Sequence, residues 1–159
     1  MNPPHNKKIS MKVVSVNISK EKNTVKTPVN VITLDEKGII GDAHAGNWHR
    51  QVSLLSKESI EKFGIKVGKN YKPGEFAENI TVEGINLSVV SVLDKLFISD
   101  VVLEITQLGK KCHGDGCAIF LETGKCVMPK EGVFCRVING GEIRPNDNIQ
   151  YKPLAEVLQ

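Results

Sequence analysis

The strongest constraint on this chain is the shortness of its apolar runs. Stretches of alternating side chains recur along it, and most end in Gly, Asn, Asp or Pro. Val14, Val16 and Ile18 share one face of Lys12–Ser19, and Val101, Leu103 and Ile105 share one face of Val101–Gln107. A period of two places such residues on one side of a pleated strand, and the turn signals keep each strand short. Further strands are predicted over Val29–Leu34, Val52–Leu55, Ile80–Glu83, Val133–Asn139, Glu142–Arg144 and Asn148–Tyr151. Gly140-Gly141 and Pro145-Asn146-Asp147 read as turns between the last of these. One helix is predicted, Lys57–Phe63, capped by Ser56, with Glu58 in its first turn and Gly64 closing it. Val89–Phe97 is apolar but has no deciding period, and Leu154–Leu158 is a frayed helical tail at most. The expected fold is mainly β, a closed or nearly closed β-barrel with one or more short helices.

At 159 residues the chain fits one domain able to bury its own core without a disulfide. The expected organisation is a flexible tail over 1–11, the barrel over 12–152 and a C-terminal tail over 153–159. A net charge of +3 and only eight aromatic residues (five Phe, two Tyr, one Trp) speak against nucleic acid as a partner. No apolar run reaches the roughly 20 residues of a membrane span, and no signal peptide is expected from the polar start MNPPHNKKIS. The expected location is the cytoplasm, where four cysteines are more often reduced, metal-bound or reactive than paired in disulfides.

All four cysteines fall within Leu103–Cys135, a stretch that starts and ends in strands joined by a Gly- and Lys-rich loop. Their spacing, C-x4-C-x8-C-x8-C, lacks the paired knuckles of a structural zinc site. Cys135, on a strand, reads as a small buried hydrophobe. Cys112 differs, because Lys110, Lys111 and His113 crowd its thiol and favour the nucleophilic thiolate.

Two more polar clusters stand out. Gly41–Arg50 holds His44, His49 and Arg50 among glycines, which suits an anion: backbone N–H groups can approach it and Arg50 can grip it, although a turn-rich connector with surface histidines would look the same. Glu75, Glu78 and Asn79, just before a strand, could read the edge of a heterocycle or simply hold a turn. No nucleotide-binding P-loop, dinucleotide fingerprint or hydrolase triad motif is present.

Taken together, GIIGDAHAG (38–46), HRQVSLLS (49–56), GEFAENIT (74–81), LEITQ (103–107), Cys112-His113, GVF (132–134) and RVINGG (136–141) resemble the MOSC domain, named after the C-terminal domain of molybdenum cofactor sulfurase. The resemblance spans Val13 to Tyr151 and points to a bacterial stand-alone subgroup. It implies a strand-rich barrel that binds molybdopterin or the molybdenum cofactor. It implies that Cys112 is a sulfur carrier or molybdenum-facing thiol. It makes His44, His49, Arg50, Gln51, Glu75, Glu78, Asn79, Lys110, Lys111 and His113 candidates for holding the cofactor. The implied activity is sulfur transfer or delivery, with a cysteine desulfurase-type or molybdoenzyme partner. The other readings are a molybdenum-dependent reductase of N-hydroxylated compounds, a non-catalytic cofactor chaperone, or a zinc-stabilised structural domain. No segment supplies a pyridoxal phosphate site, so mobilising sulfur from cysteine is expected to need a partner.

Overall fold

A computed structural model describes residues 10–22, 24–109 and 131–157. Among them eleven strands carry the fold: β1 (Lys12–Ile18), β2 (Thr27–Val29), β3 (Ile32–Asp35), β4 (Gly38–Ile39), β5 (Val52–Ser56), β6 (Ile80–Glu83), β7 (Lys95–Ile98), β8 (Val101–Leu108), β9 (Val133–Asn139), β10 (Gly141–Ile143) and β11 (Ile149–Lys152). The helices are α1 (Lys57–Val67) and α2 (Leu154–Val157). The mainly β reading is correct.

The strands form two sheets. The larger runs β11-β7-β8-β9-β5-β6-β1-β2, and the smaller runs β10-β3-β4. Neither closes into a barrel through a strand ladder. β1 meets the approach to β11 at a single bridge, Lys12 with Asn148, flanked by main-chain bonds from Val13 to Asp147 and from Ile149 to Met11. All strand pairs are antiparallel except β5–β6. Parallel neighbours need a long crossover, and α1 with the segment after it supplies one.

Three local expectations change. The run Val29–Leu34 divides at a bend: its start belongs to β2, paired with β1, and its end to β3, in the other sheet. Ser56 does cap α1, accepting from the Ser59 N–H at 3.0 Å, but Gly64 does not close the helix. The left-handed cap is Gly68 at φ +73°, one turn later. Gly64 is buried where the chain folds back over α1, and a Cβ there would lie 2.4 Å from the Lys69 carbonyl oxygen. Gly140-Gly141 does not make a hairpin, because β10 leaves β9 and pairs with β3.

Both faces of the central strands are covered. The main core gathers Val13, Val16, Leu54, Ile80, Leu103, Ile105 and Cys135 on one side. Leu55, Ile60, Phe63, Phe76 and Phe134 form a second cluster against α1 on the other. In β9 the switch is one residue wide: Val133 and Cys135 enter the first core and Phe134 the second, as strand alternation requires. Cys135 is fully buried, and burial together with the charge of Glu104 pushes its thiol well above its ordinary pKa. It is an inert core residue, as read from the sequence.

Candidate functional site

The loop from Ile40 to Arg50 is built on Asp42. Its carboxylate is buried; Oδ1 accepts from the Ser19 N–H at 3.0 Å and from Lys26 Nζ at 2.8 Å, and Oδ2 accepts from the His44 N–H at 3.0 Å. Burial alone would raise this carboxyl, but the Lys26 ammonium and the main-chain N–H groups of His44 and Ser19 outweigh it and hold the acid far below the usual carboxylate range. Lys26 comes from the polar stretch before β2, yet its side chain has no exposed surface. Its Nζ also lies 3.0 Å from Ser19 Oγ and 3.1 Å from His44 Nδ1.

The loop then folds over its tryptophan. Trp48 donates from Nε1 to the His44 carbonyl at 2.7 Å, and the two rings are parallel within 2° at a centroid separation of 6.4 Å. The Arg50 guanidinium lies 4.9 Å from the Trp48 ring centre and 5.6 Å from that of Phe134; Lys22 stands 5.6 Å from Trp48. Two rings hold the cation by quadrupole attraction. Among the described residues no carboxylate or carbonyl pairs with Arg50, and its buried Nε has no hydrogen-bond partner.

His49 reaches across to β8. A bulge puts Ile105 opposite Cys135 and Gln107 opposite Phe134, leaving Thr106 as the extra residue. Thr106 Oγ1 bonds the carbonyls of His49 and Phe134. Gln107 gives its amide N–H to the Gly109 carbonyl at 2.7 Å, so its oxygen accepts from His49 Nε2 at 2.9 Å. Bulges beside functional sites commonly re-aim a side chain in this way. Just beyond, the Gly109 N–H bonds the Gly132 carbonyl at 2.7 Å and joins the two ends of the cysteine-bearing segment. Lys110, Lys111, Cys112, His113, Cys117 and Cys126 lie outside the described residues. Cys112 follows Gly109 by three residues along the chain.

The other sequence candidates hold the frame. Gln51 is buried; its amide donates to the carbonyls of Glu36 and Gly46 at 2.9 and 2.8 Å, and its oxygen accepts from the Val137 N–H at 2.8 Å. Asn79 clips three strands together: Oδ1 accepts from the Ser53 N–H at 3.0 Å, and Nδ2 donates to the Asn17 carbonyl at 3.2 Å. Glu75 accepts from the Lys72 N–H within its own turn. Glu78 is fully buried; Oε2 takes hydrogen bonds from Thr81 and the Gly74 N–H at 2.7 and 2.9 Å, and among the described residues Oε1 has none. Burial raises its pKa despite those bonds. The structure therefore brings His44, His49 and Arg50 to one region, beside Trp48, Gln107 and Phe134. It sets Gln51, Glu78 and Asn79 inside the fold. Sequence reasoning missed Lys26, Trp48 and Gln107. A lone Trp two residues before an Arg was an available signal; the burial of Lys26 had none.

Among the described residues no three His, Cys, Asp or Glu side chains cluster as a metal cage, and no helix is long and apolar enough to cross a membrane. The family model for the MOSC domain matches residues 41–150, which include the whole Asp42–Arg50 platform, the bulge at Thr106 and the cysteine-bearing segment. The chain belongs to the MOSC family. That family is associated with the molybdenum cofactor. The fold of this MOSC protein is similar to that of YuaD from Bacillus subtilis (TM-score 0.76, 19% identity, 91% of this chain and 96% of that one). It is also similar to YiiM from Geobacillus stearothermophilus (TM-score 0.67, 21% identity, 89% and 74%) and to YiiM from Escherichia coli (TM-score 0.61, 18% identity, 88% and 69%). No curated protein matches the sequence.

Proposed function

We propose that this MOSC protein binds the anionic pterin part of the molybdenum cofactor at the His44–Arg50 platform and that Cys112 carries or hands on a sulfur. One observation carries the reading: Arg50 is stacked between Trp48 and Phe134, with a buried Nε that no described group satisfies. A buried donor left unpaired costs about 1–3 kcal/mol, and a phosphate oxygen removes that cost with a charge-assisted bond. The donor set fits a phosphate. Arg50 and His44 would hold it, Lys22 adds positive charge at the rim, and Lys110, Lys111 and His113 extend the same charge along the sequence. When bound, the molybdenum group would supply a metal centre able to accept sulfur as a ligand.

In the transfer step the Cys112 thiolate, favoured by its cationic sequence neighbours, attacks the outer sulfur of a donor's persulfide. A new S–S bond forms on Cys112 as the donor's S–S bond breaks, and the donor leaves as a thiolate. A cysteine desulfurase-type protein suits the donor role and a molybdoenzyme the acceptor role, both in the cytoplasm.

The test uses the full chain purified from cells that make molybdopterin. Wild type is expected to retain pterin, read by fluorescence after oxidation, and to show persulfide on Cys112 by mass spectrometry; Arg50→Ala should lose most of the pterin. Equal pterin in both proteins would remove Arg50 from the site. Pterin without any persulfide would leave a cofactor-binding module, and turnover of an N-hydroxylated substrate would point to the reductase.

A further inference from the structure

The buried ion pair under the platform has a consequence for its histidine. An ammonium offers three hydrogens and no acceptor. Around Lys26 Nζ, three acceptors among the described residues stand in reach: Asp42 Oδ1 at 2.8 Å, Ser19 Oγ at 3.0 Å and His44 Nδ1 at 3.1 Å. His44 Nδ1 could instead donate to Asp42 Oδ2, but that distance is 3.7 Å, too long for a hydrogen bond. Asp42 Oδ2 is also engaged by the His44 main-chain N–H. A fully buried carboxylate beside Lys26 requires the ammonium to stay charged. His44 Nδ1 must then accept, so the ring hydrogen sits on Nε2. The parallel Trp48 ring and its bond to the His44 carbonyl set the orientation, and among the described residues none hydrogen-bonds Nε2.

We propose that Lys26 is a positioning residue that locks His44 in the Nε2–H tautomer, so that His44 serves the site as an uncharged hydrogen-bond donor and not as a base. Among the described residues, the same platform then presents two donor groups without a hydrogen-bond partner, His44 Nε2–H and Arg50 Nε–H. It selects a ligand whose oxygens only accept, such as a phosphate ester, over one that must donate a hydrogen. This second part rests on the anion-binding reading above; the tautomer does not.

Long-range proton–nitrogen NMR of the full chain with labelled imidazole nitrogens reads the tautomer directly. In ligand-free wild type at neutral pH, Nδ1 should give the unprotonated signature and Nε2 the protonated one, and Lys26→Met should lose that preference. A protonated Nδ1 in wild type, or an unchanged signature in a folded Lys26→Met, would overturn the proposal. Should that variant fail to fold, the wild-type spectrum and two replacements at His44 still decide. Titrated with inorganic phosphate, His44→Gln, which keeps a terminal N–H, should bind near the wild-type level. His44→Phe should bind about 10-fold or more weakly. Equal losses in Gln and Phe, or no phosphate binding by wild type, would overturn the donor role. Phosphate binding with no pterin on the purified protein would instead overturn the cofactor reading and leave the tautomer standing.

Discussion

Two polar clusters that look alike in the sequence have opposite fates in the fold. Gly74–Asn79 and Gly41–Arg50 each combine glycine with acidic, amide or basic side chains ahead of a strand. In the first, the Asn79 amide and Glu78 Oε2 point into the protein, where they join β1, β5 and β6. In the second, Asp42 binds the loop from beneath, and among the described residues Arg50 Nε and the Nε2 edge of His44 have no hydrogen-bond partner. Polar residues that satisfy one another inside a fold build it, whereas polar residues held rigidly but left unsatisfied are available to a ligand.

The sharpest way to break this contrast is to remove the support beneath the second cluster. Asp42→Ala would leave the Lys26 ammonium buried without its carboxylate, a loss of about 3–5 kcal/mol in unfolding free energy. An unchanged denaturant midpoint would show that the pair does not hold the loop. Arg50→Ala should behave differently: phosphate or pterin binding weakens by about 1.5–3 kcal/mol, while stability falls only by the stacking of a cation on two rings, about 1–2 kcal/mol. A variant that unfolds but binds normally when folded would reverse the assignment. Asn79→Ala makes the mirror-image prediction, with stability lower by about 1–3 kcal/mol from the stranded partners on Ser53 and Asn17, and phosphate affinity unchanged.

The smallest effect is a pH dependence. Burial raises the Glu78 pKa above its ordinary 4.5, so the folded state keeps a proton that the unfolded chain releases. The stabilisation is therefore fully present below about pH 4.5 and declines as pH rises through the folded pKa. Asp42 has the opposite sign: its lowered pKa lends stability above about pH 3.8 that is lost on acidification. Glu78→Gln should remove the decline on the alkaline side and leave the acid limb alone, as measured by unfolding midpoints across pH. An identical profile for wild type and variant would mean that Glu78 is ionised in the fold.

Much of the architecture was legible from local pattern. β9, Val133–Asn139, was read at its full extent, β8 within one residue, and the Ser56 cap correctly. These depend on alternation and on a hydroxyl's reach to a nearby N–H, which neighbouring residues decide among themselves. Gly64 was misread for an equally local reason: a glycine near a helix end resembles a cap until the Lys69 carbonyl is seen packed against it. The closed or nearly closed barrel is not confirmed by a strand ladder, because alternation predicts strands and does not say whether the edges of a sheet meet.

The sequence by itself determined the strand-rich class, the core position of Cys135, the cationic setting of Cys112 along the chain and the motifs that mark the MOSC family. Only the tertiary structure decided which polar residues hold the frame and which stay available. Gln51 meets Val137 across 86 residues and Asn79 meets Asn17 across 62, so neither partner could be read from local spacing. Lys26 looked like a solvated loop charge until the fold placed Asp42, Ser19 and His44 around it. Local periodicity fixes which way a side chain points from its strand. Whether it finds a partner there depends on which distant strands pair, and that choice is made by burial of the core as a whole.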